Sequence, residues 1–188
     1  TNNIAATQFN WTYDTTGPSM AITSSTVSDG ATSNNSTLAM IFTSSEATSN
    51  FVIGDISVSG GALSSFNASS STVYTATFTP SAQGATTIDV AGGGFTDSSG
   101  NNNSAATQFN WTFDTVVPSI AITSSTVSDG ATSNNSTIAM IFTSSEATTN
   151  FVVGDITVSG GALSSFNAAS STVYTATFTP SGDGAKTI

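Results

Sequence analysis

Short runs of alternating apolar and polar residues recur along the chain, separated by clusters rich in Gly, Ser, Asn and Asp. Leu38, Met40 and Phe42 alternate with small or polar neighbours, as do Tyr74, Ala76 and Phe78, and again Phe109, Trp111 and Phe113. Successive side chains on a strand point to opposite faces, so each triplet lies on one face and marks the side that packs inward. Runs of this kind, four to eight residues long and rich in Thr, Val, Ile and aromatics, predict strands at about 19–24, 37–43, 55–59, 62–67, 72–79, 86–91 and 107–113. Glycine-containing turns such as Ser28–Gly30, Ser59–Gly61 and Ala91–Gly94 separate them, and no stretch has the period of a helix.

The pattern then repeats. Residues 5–88 align without a gap on residues 105–188, and only 12 of the 84 pairs differ. Most differences conserve size and polarity, among them Tyr13/Phe113, Met20/Ile120, Leu38/Ile138 and Ser57/Thr157, so both copies are expected to share one fold. The repeats place residues 14–113 as one module and 114–188 as a second that stops before its last strand. Residues 1–13 match 101–113 and read as the last strand of a preceding repeat. A five-residue linker, Asp114 to Pro118, joins the modules. Its proline restricts the backbone, whereas Gly17 in the matching linker leaves room for a hinge.

Composition narrows the class. Acids outnumber bases eleven to one, giving a formal net charge of -10. Such a surface repels phosphate backbones and anionic headgroups, which excludes nucleic acid and makes cations the natural partners. No apolar run is long enough for direct membrane insertion. The chain has no His, no Cys and one Lys, so imidazole- and thiol-based catalysis is excluded and only a two-carboxylate glycosidase could be assembled. Repetition of the same acids in both copies points to a structural role rather than an enzyme.

The strings "DTTGPSMAITSS", "MIFTSSEATSNF", "GDISVSGGALSSF", "TVYTATFTP" and "FTDSSGNNNSAATQF" together resemble the tandem bacterial Ig-like repeats of large surface proteins and adhesins. The resemblance implies an all-β fold of tandem seven-strand Ig-like β-sandwich modules, the second truncated before its last strand. It also implies an extracellular, cell-surface location and a spacer or adhesive role.

In such a sandwich the linker, the loop after the second strand, the start of the third strand and the loop before the last strand return to one pole. Asp14, Glu46, Asp55 and Asp97 fall there, with Asp114, Glu146 and Asp155 at the corresponding positions of the second copy. Ca²⁺ takes six to eight oxygen ligands and mixes carboxylates with carbonyls, which Asn101 to Asn103 could add. The loop from Asp97 is not an EF-hand, because Gln108 stands where a bidentate Glu is required. Any Ca²⁺ site is therefore assembled from several loops. The competing reading of each acid is local: Asp29 and Asp97 in turns, Asp55 as a strand cap, Glu46 solvated.

Two functions follow. In the first, the modules are a non-catalytic spacer of a bacterial surface adhesin or stalk, with neighbouring Ig-like modules of the same chain as partners and calcium at the junctions. In the second, the chain is a subunit of a self-assembling filament, sheath or surface layer, and its partners are like chains that exchange strands.

Overall fold

The computed structural model describes residues 2–188, which fold into two compact units divided between Thr115 and Val116. In the first unit the alternating runs form β1 (Met20–Ser24), β2 (Thr32–Ser33), β3 (Leu38–Ser44), β4 (Ile56–Ser59), β5 (Gly61–Ala68), β6 (Val73–Pro80), β7 (Gly84–Val90) and β8 (Phe109–Phe113). A single 3-10 turn, Ile53–Asp55, precedes β4. Two four-stranded sheets result, in the orders β1-β3-β6-β5 and β2-β8-β7-β4. Their inner faces bury Leu38, Met40, Phe42 and Phe78 from one sheet against Ile88, Val90, Phe109 and Trp111 from the other. Each large side chain removed from water in this way contributes about 1.5–3 kcal/mol. This is the packing that alternation in the sequence demands.

The eighth strand, β2, is the one that the hydrophobic pattern misses. Thr32 and Ser33 sit in an all-polar run, and they pair in parallel with Thr112 and Phe113 at the end of β8. Hydrogen bonds hold it: Thr112 N–H donates to Ala31 O (2.9 Å), and Trp111 Nε1–H donates to Ser33 Oγ (3.0 Å). In β5 a bulge between Ser64 and Asn67 breaks the ladder to β6, with Ser65 at a left-handed φ of 52°. The outer edge of that sheet is thereby kinked and less open to further pairing.

The second unit repeats half of this. Strands β9 (Ile120–Ser124), β10 (Ile138–Ser144), β11 (Gly161–Ala168) and β12 (Val173–Pro180) form one sheet in the order β9-β10-β12-β11, in the same registers as their counterparts. The counterpart of β4, expected as a strand at 155–159, makes only an isolated bridge from Ser159 to Thr187. In the first unit β4 pairs with β7, and β7 is held on its other side by β8. In the second unit residues 184–188 have no strand on that side, and the three-strand ladder does not form. The core shrinks to match. Met140, Phe142, Tyr174, Ala176 and Phe178 stay buried, whereas Ile120, Ile138 and Phe151 are half-buried and Ile122 is 46% exposed.

No strand pairs with residues 2–13, and Thr1 lies outside the described residues. Phe9, Trp11 and Tyr13 are exposed, Trp11 by 76%. The rings of Trp11 and Tyr13 nevertheless stand 5.5 Å apart at 46°, the same arrangement as Trp111 and Phe113 within β8.

A cluster of three carboxylates at one end of the first unit

The loop between β7 and β8 is built around Asp97. Its Oδ1 accepts the N–H groups of Ser99 and Asn101, both at 2.8 Å, and Oδ2 accepts Asn101 Nδ2–H at 2.9 Å. The turn needs a left-handed residue, supplied by Gly100 at φ 89°. Asn103, buried below it, accepts Phe95 N–H through Oδ1 and donates to Ala91 O and Ser104 O through Nδ2. Its amide thus serves the backbone of the loop.

Two further segments meet this loop. The first is the β3–β4 loop. Thr48 bridges to Asp97, and Asn50 Oδ1 accepts Thr96 N–H (3.1 Å) and Thr48 Oγ1–H (3.0 Å). The second is the linker. Asn101 Nδ2 donates to Asp14 O and Thr16 O, each at 3.3 Å, and Ser99 Oγ donates to Asp14 Oδ2 at 3.2 Å. Gly17 packs against the Asn102 carbonyl so closely that no Cβ fits between them. Its φ lies outside the left-handed range, so this glycine serves close approach, and residues 14–17 are fastened to the loop rather than free to hinge.

The outcome is that carboxylate oxygens of Asp14, Glu46 and Asp97 lie within 4.8 Å of one another. Asp14 is exposed, Glu46 half-buried and Asp97 buried. Three negative groups gather where the sequence has no base before Lys186. Electrostatics record the strain. Partial desolvation, then the charges of Asp14 and Asp97 and a hydrogen bond with Asp97, hold the Glu46 carboxyl above its ordinary value. Asp97 is held below its ordinary value, first by the Asn101 side chain and further by the backbone N–H groups of the loop, against an opposing effect of burial. Asp97 is thus the anchored anion and Glu46 the one that resists ionising.

Two oxygens bound to the same Ca²⁺ stand at most about 5 Å apart, twice the usual bond length. The spacing of the three carboxylates meets that condition, and exposure of Asp14 leaves room for water ligands. Asp55 belongs elsewhere: its Oδ2 accepts Val52 N–H at 2.8 Å and closes the 3-10 turn before β4. Asp155 repeats this role, accepting Val152 N–H at 2.9 Å. Asp114, at the end of β8, donates its N–H to Ser33 O (3.0 Å) and accepts Gln83 Nε2–H (3.0 Å). Glu146 lies half-buried in the β10–β11 connection, its N–H 3.4 Å from Ser144 Oγ. The scaffold residues Asn50 and Ser99 were the least legible part of the site, since Asn and Ser are abundant throughout the chain.

A family model described as bacterial Ig-like domain matches residues 14–113 and, again, residues 114–188. No curated protein and no solved structure matches the chain.

Proposed function

Because the chain belongs to the bacterial Ig-like domain family, whose members serve as structural repeats of surface proteins, we propose that it is a non-catalytic spacer segment of an extracellular adhesin or stalk, stiffened by Ca²⁺ held between Asp14, Glu46 and Asp97. The observation that carries this reading is the convergence of those three carboxylates from the linker, the β3–β4 loop and the β7–β8 loop. A cation there replaces mutual repulsion with shared coordination and ties the entering chain to the far loop of its module. The segment before β1 then moves with the module. Sodium chloride at equal ionic strength acts differently, because it screens the charges without bridging them.

The test is calorimetry of the 188-residue chain with Ca²⁺ and with chelator. A ligand that binds only the folded state at a hundredfold excess over Kd stabilises it by about 2.7 kcal/mol. For a module of this size, that raises the melting temperature by roughly 10–20 °C. Glu46→Gln should remove most of the response while leaving the chelated melting temperature no lower. Identical melting with calcium and with chelator would leave a metal-free spacer.

A further inference from the structure

The outermost strand of a sheet presents unbonded N–H and C=O groups that fit another strand, and most proteins blunt such edges. The first unit has four of them. β2 is two residues long, β4 is four, and β5 is broken by the bulge at Ser65. β1 has none of these protections. Its ladder to β3 runs without a bulge from Met20 opposite Ser44 to Ser24 opposite Met40. Beyond its two ends Ser45 N–H donates to Ser19 O (2.9 Å) and Ser25 N–H to Ala39 O (3.1 Å). Bonding alternates along an antiparallel strand, so residues 19, 21, 23 and 25 serve β3, and the N–H and C=O groups of Met20, Ile22 and Ser24 point to the open side. Among the described residues nothing bonds to those groups; the edge is closed only nearer the chain's entry, where Pro18 O accepts Ser104 N–H (2.9 Å). Beside Ile22 and Ser24 lies a trough of about 250 Å³, lined also by Val27, Asp29 and Phe109.

We propose that β1 of one copy of this chain pairs with β1 of a second copy, antiparallel and two-fold symmetric about Ile22, so that their two four-stranded sheets join edge to edge. In that register Met20 stands opposite Ser24 and Ile22 opposite its own counterpart, so every open residue meets an open residue and each pair exchanges two backbone hydrogen bonds. Such an interface is isologous and closes on itself.

Packing and charge both select a second copy as the occupant. Cross-strand partners share a face, so the partner's copy of the half-buried Ile22 enters the trough beside Val27 and Phe109. With eleven acids against one base, most approaches of two copies set acid against acid. Residues 15–28 carry no charge, and neither does β3 behind them. Asp29, at the rim of the trough, turns its Oδ1 onto Asn110 N–H (2.7 Å). The edge also recurs with the repeat: β9 has the sequence IAITS, Ser145 N–H donates to Ser119 O (2.9 Å), and Ser125 N–H donates to Ala139 O (3.3 Å). A pair of five-residue strands buries less than the roughly 1,200 Å² of a stable complex, so one pair associates weakly and several in one chain gain by multivalency.

The experiment is sedimentation velocity of the 188-residue chain over a concentration series in chelator, which keeps this result separate from the calcium response. Association that grows with concentration is expected. Ala21 and Thr23 are exposed and stand opposite each other across the two-fold, as do Ala121 and Thr123 if β9 pairs in the same way. A chain with Ala21→Glu, Thr23→Glu, Ala121→Glu and Thr123→Glu should stay monomeric, and so should one with Lys at the same four positions, because like charges directly opposite repel. Mixing the two should restore association, a result that loss of folding could not give. The chain has no Cys, so Ile22→Cys tests the register: its thiols meet at a Cα separation of about 5.5 Å, inside the disulfide range. Under mild oxidation it should form covalent dimers well ahead of Ala68→Cys, at an exposed position on the opposite edge. A wild-type chain that stays monomeric at every concentration, charge variants that remain apart when mixed, or equal crosslinking of the two cysteine variants would overturn the proposal.

Discussion

Trp111 joins the two sheets of the first unit, and its replacement tests that architecture most directly. The side chain is 2% exposed, meets Phe78 edge-on at a ring separation of 6.2 Å, and donates to Ser33 at 3.0 Å. A buried indole removes about 150–250 Å² from water, worth roughly 4–6 kcal/mol at about 25 cal/mol per Å². That figure is an upper bound because unfolded chains already bury some surface, and the usual cost of replacing a buried Trp with Ala is about 3–5 kcal/mol. A loss near 4 kcal/mol lowers the melting temperature of a module of this size by roughly 15–30 °C and consumes much of a typical domain's stability. Trp111→Phe keeps a ring but loses the N–H bond to Ser33, and should fall between the wild type and Trp111→Ala. The assay is denaturant unfolding followed by circular dichroism, with tryptophan emission read in a Trp11→Phe background so that Trp111 alone reports. Emission of a solvated indole in the native state, or a loss below about 1 kcal/mol for Trp111→Ala, would refute the packing of β8 against the first sheet.

Two other perturbations probe the end of the unit. Gly17→Val copies the residue found at Val117, and should cost the first unit about 1–3 kcal/mol through collision with the Asn102 carbonyl; the reverse change, Val117→Gly, at a position 81% exposed, should cost less than about 1 kcal/mol. Equal effects of the two in thermal melts would show that residues 14–17 are not seated on the loop. The titrations at the cluster oppose each other. Because the folded state raises the Glu46 value, stability from this group is present below the ordinary Glu range and is lost as pH rises through its raised value. Because the folded state lowers the Asp97 value, its stability is present above the ordinary Asp range and is lost as pH falls through the lowered value. Without calcium, the contribution of Glu46 to the first unit should therefore decline as pH rises from the ordinary Glu range through that raised value. Glu46→Gln should flatten that decline in a series of pH-dependent melts, and an unchanged slope would count against the cluster.

Strands with a large apolar triplet were legible because core packing imposes period two. Leu38, Met40 and Phe42, or Phe109 and Trp111, announce both their secondary structure and their inward face. β2 was not legible, since Thr32 and Ser33 are fixed by backbone pairing and by one indole hydrogen bond, neither of which leaves an apolar signature. The counterpart of β4 in the second unit shows the opposite failure. Residues 156–159 have strand composition, yet strand structure needs a partner, and the ladder that holds β4 in the first unit is reduced there to one bridge. At the candidate site, loop topology was enough to bring Asp14, Glu46 and Asp97 together. It could not foresee that Asp55 turns its carboxylate onto its own 3-10 turn, because that choice is made by the Val52 N–H three residues away and not by the course of the chain.

The fastening of residues 14–17 to the β7–β8 loop decides how the first unit bears tension. The loop lies at the C-terminal end of β7, whereas Phe113, where the chain leaves, pairs with Gly84 at its N-terminal start. Entry and exit are therefore separated by the length of a seven-residue strand, about 23 Å. A pull between them acts along β8, across hydrogen bonds that run at right angles to it towards β7 and at a slant towards the short parallel β2. The bonds of that strand share the load at the same moment and cannot be opened one after another from a free end.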